Sequence, residues 1–440
     1  MGDAGRGLAE EFARPSCAAI LRGNRPAAYD AAMPTLAVSN PGLRKDVTVI
    51  GLVGLAHAIS HFSQLLLAPL FPWLKDAFNV SYAQLGFLLT IFFVTSCIVQ
   101  TLSGFWVDRY GPRPILFTGL ALLGCAALGF AASPNYPSLA LFSVLAGTGN
   151  GVFHPVDYTL LNRKVDKARL GHAYSVHGIT GSLGWALAPA MLVPLTLAYS
   201  WRVALVCAAA LVFCVLAVLW LRREPLDLPP PANPAAVGSA STEGSFDFLK
   251  LPAVWMCFAF FFIYAGALSI VQSFAPQAAK ELHAVPAHLA AICLTVYMVC
   301  SAGGMLLGGF LAAKPERCER IVGIAFGLAA CIALLLGFAD VPPLAVPVLF
   351  GAMGFSAGIA GPSRDLLVKR STPANATGRV YGVVYAGLDI GQAVVPLFIG
   401  MLMDHGAFTS VWLALAALQG VLIVSAFNVG RARRTVLAAA

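Results

Sequence analysis

Two pairs of ionisable residues lie in strongly apolar stretches of this chain, at spacings that place each pair on one face of a helix. His57 and His61 are four residues apart, and His154 and Asp157 are three apart, so the members of each pair stack on the same helical face. A neutral imidazole in such surroundings can bind a substrate or accept a proton. A carboxylate beside a histidine in a partly desolvated cavity could take up and release protons. These four side chains are the first candidates for a functional site.

Alternatives to each of these roles remain open from the sequence alone. Histidines inside a helical bundle also serve as hydrogen-bond partners between helices. His57 and His61 have a spacing that can ligate a metal, but no HExxH motif and no third acidic ligand accompanies them, so we expect neither a metal nor a cofactor. Asp157 could be one partner of a gate instead of a proton site.

Asp389 is the second candidate proton-carrying carboxylate. It lies midway along another apolar stretch, where burial of a carboxylate demands a partner or a protonated state. Several polar side chains in the same and neighbouring stretches could line a substrate cavity, although most such residues make hydrogen bonds between helices. These cavity candidates, together with His57 and His61, are His177, Tyr174, Tyr381 and Gln392.

The composition indicates that these candidates belong to a membrane protein. Of the 440 residues, 59% are hydrophobic and 11% are charged, and the mean hydropathy is +0.80, which excludes a soluble globular chain. Six stretches in each half are long enough to span a bilayer. Because they lack the alternating pattern of barrel strands, we predict helices. The predicted spans are residues 48–70, 83–106, 113–132, 138–161, 170–197, 201–221, 252–275, 287–312, 320–339, 343–368, 377–402 and 407–428.

An internal repeat indicates how these spans are arranged. The sequence around residues 147–189 recurs 207 positions later, with glycine, proline, arginine and tyrosine at the same places. The matched pairs are Gly147 and Gly354, Gly151 and Gly358, Pro155 and Pro362, Arg163 and Arg370, Gly171 and Gly378, Tyr174 and Tyr381, Gly184 and Gly391, and Pro189 and Pro396. The repeat predicts two pseudo-symmetric six-helix bundles around a central site, an arrangement common among secondary transporters.

The repeat also pairs charges from the two halves. By the same offset Asp157 corresponds to Arg364, so a pseudo-twofold axis would place these two residues at equivalent positions in the two bundles. Their opposite charges could meet when the cavity is closed to the cytoplasm and separate when it opens. Protonation of Asp157 would weaken this pair, so the gate role and the proton role are compatible.

Polar segments flank and divide the predicted bundles. We expect residues 1–46 to form a disordered cytoplasmic tail in which Met33 could be the natural start, and residues 222–250 to form a mobile cytoplasmic linker. The N-terminal bundle would then comprise residues 47–221, the C-terminal bundle residues 251–428, and a second cytoplasmic tail residues 429–440.

The loop between the second and third spans contains Gly104, Asp108, Arg109, Gly111 and Arg113. This pattern resembles the conserved loop of the major facilitator superfamily, whose Asp and Arg residues act as a conformational latch. In the second half, Gly309 and Phe310 begin the pattern again, but Ala313 and Lys314 replace the Asp and Arg. The resemblance therefore implies a full latch in the first half only, and it extends over about residues 45–430.

Within this superfamily the N-terminal half resembles the fosmidomycin-resistance group of exporters. The matching stretches are Ser60-His61, Leu65 to Leu67 with Pro69, Ser81 with Gln84 to Gly86, and Phe153-His154-Pro155. In that group an acidic residue follows the proline directly, whereas here Val156 intervenes and the acid is Asp157.

The resemblance implies the major facilitator fold and a proton-coupled secondary transporter that exports a small organic anion or antibiotic by alternating access. No nucleotide-binding loop is present, so a gradient would drive transport. We expect a monomer in the bacterial inner membrane, whose partners are a small molecule, protons and the lipid bilayer, without nucleic acid. Proton-linked import of a small carboxylate is the main alternative, and a polytopic membrane enzyme or receptor is a remote one.

The distribution of basic residues predicts the orientation in the membrane. With both termini in the cytoplasm, all of the 28 Lys and Arg residues except Lys75, Arg202 and Lys280 lie on the cytoplasmic side. We therefore expect a green fluorescent protein fused after residue 440 to fluoresce, and alkaline phosphatase inserted between residues 199 and 200 to be active. Active phosphatase at the C-terminus would reverse the topology.

Overall fold

The computed structural model describes residues 41–228, 252–311, 318–371 and 377–439. It describes the backbone only for residues 41, 108, 253, 365–371, 377–384 and 429–439. Most of the predicted tail and linker, together with Ala313 and Lys314, lies outside the described residues. Every regular element in the described ranges is a helix, and twelve helical segments are long and apolar enough to cross a membrane. The predicted all-α membrane fold is thus confirmed.

Each half of the chain contributes six of these spans. The N-terminal half contains α1 (Pro41–Gln64), α2 (Phe71–Phe78), α3 (Tyr82–Tyr110), α4 (Pro112–Ala132), α5 (Tyr136–Asn150), α6 (Phe153–Lys164), α7 (Leu170–Ala198) and α8 (Trp201–Leu221). The C-terminal half contains α9 (Pro252–Ser273), α10 (Ala275–His283), α11 (Ala287–Leu311), α12 (Cys318–Phe338), α13 (Ala345–Ser371), α14 (Thr377–Asp404) and α15 (Phe408–Ala439). Helices α1 and α2 lie in one span, and α5 and α6 in another.

Several element boundaries differ from the predicted ones. Helix α1 begins at Pro41, within the segment expected to be a tail, because proline fits the first turn of a helix. The last helix continues to Ala439 through residues 429–439, which contain three alanines and three arginines, both strong helix formers. At the end of the N-terminal bundle, the chain forms a short 3₁₀ turn at Glu224–Leu226.

The fourth span is not a continuous helix but is broken at Gly151 and Val152. Pro155 has no N–H to donate to the carbonyl of Gly151, and this carbonyl accepts a hydrogen bond from Ser103 Oγ instead, at 3.3 Å. The break places His154 in the first turn of α6. Gly151 itself keeps a helical backbone conformation.

The repeated glycines explain how both bundles pack alike. A Cβ at Gly147 would overlap the backbone carbonyl of Phe92 in α3, and one at Gly354 would overlap that of Tyr297 in α11. The same contact recurs between Gly184 and Ala58 in the first half and between Gly391 and Phe262 in the second. Because the absence of a side chain lets the helix backbones touch, the repeat in the sequence reflects equivalent helix contacts in the two bundles.

The hydrophobic core is continuous between the bundles at one face of the protein and divided at the other. One cluster of buried side chains joins both halves and includes Phe71 and Phe274, whose ring centroids are 5.7 Å apart. It lies at the helix ends near residues 79–81, 133–135 and 405–407, the face to which the charge distribution assigns the outside. Two further clusters lie one in each bundle, toward the opposite face. This structure is therefore closed at the first face.

Polar groups add to the closure at this face. The carboxylate of Asp404, at the end of α14, accepts hydrogen bonds from the backbone N–H of Tyr82 at 2.7 Å and of Ala83 at 2.9 Å, at the start of α3 in the other bundle. A negative charge at a helix N-terminus is stabilised by the helix dipole. Lys75 lies 3.9 Å from the same carboxylate. At the opposite face, a Cβ on Gly171 or Gly309 would meet no atom within 4 Å.

Two glycines of α7 give a matched test of this packing. Gly184→Ala places a methyl group against the carbonyl of Ala58, so we expect it to lower the free energy of unfolding by about 1–3 kcal/mol. Gly178→Ala, in the same helix, meets no atom within 4 Å and should leave stability unchanged or slightly raised. The measurement is thermal unfolding in detergent. Equal stability of both variants would contradict the close contact of α7 with α1.

Candidate functional site

Three helices of the N-terminal bundle bring four histidines and one aspartate together. Helix α1 supplies His57 and His61, α6 supplies His154 and Asp157, and α7 supplies His177. The ring centroid of His57 lies 4.2 Å from that of His61, 5.5 Å from that of His154 and 3.5 Å from that of His177. The two pairs singled out in the sequence thus form one cluster, which we call the histidine cluster.

Asp157 holds the centre of the histidine cluster and is fully buried. Its Oδ2 accepts hydrogen bonds from Nδ1 of His57 and from Nε2 of His177, each at 3.1 Å. The rings of these two histidines are stacked, with an interplanar angle of 23°. When this carboxylate is ionised it can only accept, and both imidazoles then present an N–H to it. The other oxygen, Oδ1, has no hydrogen-bond partner among the described residues.

His61 lies between His57 and the indole of Trp185. The His61 and Trp185 rings stack at 4.2 Å with an angle of 24°, and the indole N–H donates to Oε1 of Gln64 at 2.9 Å. Nδ1 of His61 is buried and makes no hydrogen bond within the described part of the chain. The absence of a side chain at Gly181 makes room for this ring, since a Cβ there would lie 2.7 Å from His61 Nδ1.

A chain of hydrogen bonds leads from the histidine cluster to the other bundle. Nδ1 of His154 lies 2.8 Å from Oε1 of Gln100 in α3. The amide nitrogen of Gln100 donates to Oδ2 of Asp389 in α14, at 3.4 Å. Asp389 is buried, so this contact joins the two predicted carboxylate sites through one glutamine at the boundary between the bundles.

The other residues proposed from the sequence lie around this centre or apart from it. Arg364 stands over the ring of Tyr264 at 4.4 Å and that of Phe261 at 5.1 Å, inside the C-terminal bundle. Gln392 donates to Gln272 at 3.3 Å in the same bundle. The Tyr174 hydroxyl donates to Asn162 at 2.6 Å. The side chain of Tyr381 lies outside the described residues.

The segment expected to form a latch loop is almost entirely helical, which corrects the prediction. Gly104, Asp108 and Arg109 lie in α3 and Arg113 lies in α4, because α3 continues to Tyr110 and α4 begins at Pro112. Gly111 joins these helices with a φ of 81°, a conformation that glycine adopts without strain. Arg113 forms an ion pair with Asp227 at 3.0 Å, and Arg109 stands over the ring of Tyr110 at 5.3 Å. A Cβ at Gly104 would meet no atom within 4 Å. The side chain of Asp108 is not among those described.

Trp185 and a layer of neutral polar residues were not identified as site residues from the sequence. Asn150, the last residue of α5, accepts hydrogen bonds from Ser60 at 3.1 Å and Gln64 at 3.3 Å and donates to Ser96 at 2.9 Å. The available signal was spacing. Trp185 follows His177 by eight residues, and Gln64 follows His57 by seven, so each lies on the helical face of a histidine.

The chain is similar over most of its length to one family of known proteins. The sequence profile described as Major Facilitator Superfamily matches residues 53–382 and 274–438. The Escherichia coli (strain K12) fosmidomycin resistance protein is 25% identical over 88% of this chain and 95% of its own length. The Bacillus subtilis (strain 168) hexuronate transporter is 22% identical over 83% and 90%. The crystal structure of a bacterial homolog of the human lysosomal transporter Spinster, inward-facing and unoccupied, has a TM-score of 0.70 at 17% identity, covering 91% of this chain and 98% of that one.

The hydrogen bonds of Asp157 suggest a test of its structural role. Asp157→Ala removes the acceptor of two buried imidazoles, so we expect the free energy of unfolding to fall by about 1–3 kcal/mol. The control is Asp76→Ala, at an exposed carboxylate, which should unfold at the wild-type temperature. Thermal unfolding in detergent measures both. An Asp157→Ala protein as stable as wild type would show that Asp157 does not hold the cluster together.

Proposed function

Because this chain belongs to the Major Facilitator Superfamily, we propose that it is a proton-coupled secondary transporter that exports a small organic anion. The chain is a multi-pass membrane protein, and its described residues include twelve helices that are long and apolar enough to cross a membrane. The bacterial relatives and the charge distribution support a place in the inner membrane with both termini in the cytoplasm. The fosmidomycin resistance protein, which matches along nearly the whole chain, supports export of an antibiotic or a similar anion.

The observation that carries the proposal is the hydrogen-bonded bridge from His154 through Gln100 to Asp389. In alternating access the two bundles rock against each other around the site. A proton carrier has to change its surroundings during this motion, and a residue where the bundles meet does so directly. Asp389 meets this requirement, because its contact with Gln100 crosses from one bundle to the other. We assign the transported proton to Asp389.

The closure of this face corresponds to the stage of an export cycle in which the substrate enters from the cytoplasm. The shared core and Asp404 close the face that the charge distribution places outside, so in this state the central cavity faces inward. A substrate would enter from the cytoplasm, and its release outside requires separation of Asp404 from the start of α3.

One feature of the C-terminal bundle favours an anionic substrate. Arg364, which stands over Tyr264, carries a positive charge that attracts anions. The hexuronate transporter, a relative over most of the chain, supports the second candidate function, the import of a small carboxylate. The same bridge to Asp389 would serve import, and only the direction of coupling differs.

The earlier candidate for the proton site, Asp157, has a different environment. It is enclosed within one bundle, and one of its oxygens is already engaged by His57 and His177. We therefore propose that Asp157 positions these imidazoles. Pairing of Asp157 with Arg364 stays a prediction for a state closed at the opposite face.

A single vesicle experiment tests the coupling. Inverted membrane vesicles are energised, and a pH-sensitive dye reports the proton gradient while phosphonates, carboxylates and lipophilic drugs are added in turn. We expect an anion to release protons from wild-type vesicles, and Asp389→Asn to abolish this release because the amide cannot carry a proton. Asp76→Asn, with its exposed carboxylate, is the matched control and should behave as wild type.

Exchange of labelled substrate separates loss of coupling from loss of folding. Asp389→Asn should still exchange substrate across the membrane in the absence of a gradient. Proton release that persists in Asp389→Asn would exclude Asp389 as the carrier. If no compound moves protons in inverted vesicles while labelled carboxylates accumulate in right-side-out vesicles, the protein is an importer.

A further inference from the structure

We propose that His57, His61 and His154 bind a divalent transition-metal ion of the zinc type. One ring nitrogen of each histidine can be chosen so that the three atoms lie within 4.8 Å of one another. The residues come from α1 and α6, two helices packed in the same bundle. The inference concerns the N-terminal bundle alone and does not depend on the proposed direction or coupling of transport.

The surroundings of two of these histidines are those of metal ligands. A ligating histidine usually engages its second ring nitrogen with a carboxylate or another polar group, which fixes the orientation of the ring. Nδ1 of His57 is engaged by Asp157 at 3.1 Å, and Nδ1 of His154 by Gln100 at 2.8 Å. Both contacts leave Nε2 available for an ion. Asp157 and Gln100 therefore act as positioning residues for this site.

The third histidine supplies an independent observation. His61 is nine-tenths buried, and its Nδ1 has no hydrogen-bond partner among the described residues. A buried nitrogen without a partner costs free energy of about 1–3 kcal/mol. A bound cation would satisfy it directly. Gly181 keeps the space beside this nitrogen free of a side chain.

The donor set selects the kind of ion. Imidazole nitrogens suit zinc, nickel, copper and iron, whereas magnesium and calcium prefer oxygen ligands. Zinc–nitrogen bonds of about 2.0–2.1 Å in a tetrahedron require nitrogens about 3.4 Å apart. The three imidazoles would have to approach one another by roughly an ångström, which side-chain rotation can supply. The half-buried ring of His154 lies at the boundary between the bundles and offers the ion a way in.

A second set of three residues in the histidine cluster is less suited to an ion. His57, Asp157 and His177 also offer atoms within 4.8 Å, but there both imidazoles direct their N–H groups at the same carboxylate oxygen. An ion at that point would have to displace both hydrogen bonds. At the first set it would displace none of those that hold His57 and His154.

The sequence predicted no metal because no third ligand follows His57 and His61 nearby. The fold supplies the missing ligand from α6, nearly a hundred residues further along the chain. The proposed site therefore revises that prediction.

Cobalt binding tests this site without any transport assay. The full-length protein, purified in detergent with a tag that contains no histidine, is titrated with Co²⁺, whose visible absorption is intense when the ion is four-coordinate, here with three imidazoles and one further ligand. We expect one Co²⁺ per chain, displaced by Zn²⁺. His61→Ala and His154→Gln should each weaken binding at least tenfold, and Asp157→Asn, which alters the support of His57, by about 10–100-fold.

Histidines outside the cluster provide the matched controls. His283→Ala removes a buried histidine of the C-terminal half, and His405→Ala an exposed one, and both should bind Co²⁺ as wild type does. Size-exclusion profiles show whether each variant is folded. If His61→Ala does not fold, the His154→Gln variant still tests the site. A wild-type protein that binds no Co²⁺, or binding unchanged in a folded His61→Ala or His154→Gln variant, would overturn the proposal.

Discussion

A carboxylate that water cannot reach has to find its hydrogen bonds inside the protein, and the arrangement of the N-terminal bundle follows from this constraint at Asp157. The side chain is fully buried, so α1 and α7 each contribute a histidine whose N–H points to it. The stacked rings then require a glycine at position 181, where a side chain would collide with His61. The burial of one carboxylate thus constrains the residues on three helices.

The same centre is connected to the relative position of the bundles. Gln100 is the link, because its carbonyl contacts the histidine cluster and its amide contacts Asp389 of the other half. The core is shared at one face and divided at the other, so a rocking motion about the centre changes the helix contacts at both faces while each bundle keeps its own packing. The bridge through Gln100 crosses the boundary between the bundles, so a relative displacement of the bundles alters its hydrogen bond of 3.4 Å to Asp389.

Much of this fold could be predicted from the sequence, and the reasons are physical. Apolar stretches of bilayer length identified the twelve spans, and the repeated glycines identified two similar bundles, because close backbone contacts tolerate no side chain at Gly147 or Gly354. His57, His61, His154 and Asp157 were recognised because an ionisable group in an apolar span is costly. Their mutual contacts were not predictable, since helix periodicity gives a face but not the neighbour that this face meets. The break before Phe153 was missed although Pro155 is visible in the sequence, because a proline shows which N–H is lacking but not which group, here Ser103, satisfies the carbonyl of Gly151.

The start of α3 shows how a tight closure can also be reversible. Ser81 and Gln84 cap this helix locally by exchanging side-chain hydrogen bonds with each other's backbone, and Asp404 from the other bundle takes the N–H groups of Tyr82 and Ala83. A helix terminus has donors that water can satisfy as well as a carboxylate can. When the bundles separate there, hydration replaces the lost bonds, and neither partner is left with an unsatisfied buried group. The polar groups that close this face can also form hydrogen bonds with water. Hydration of the separated surfaces therefore offsets much of the free energy lost when their hydrogen bonds break.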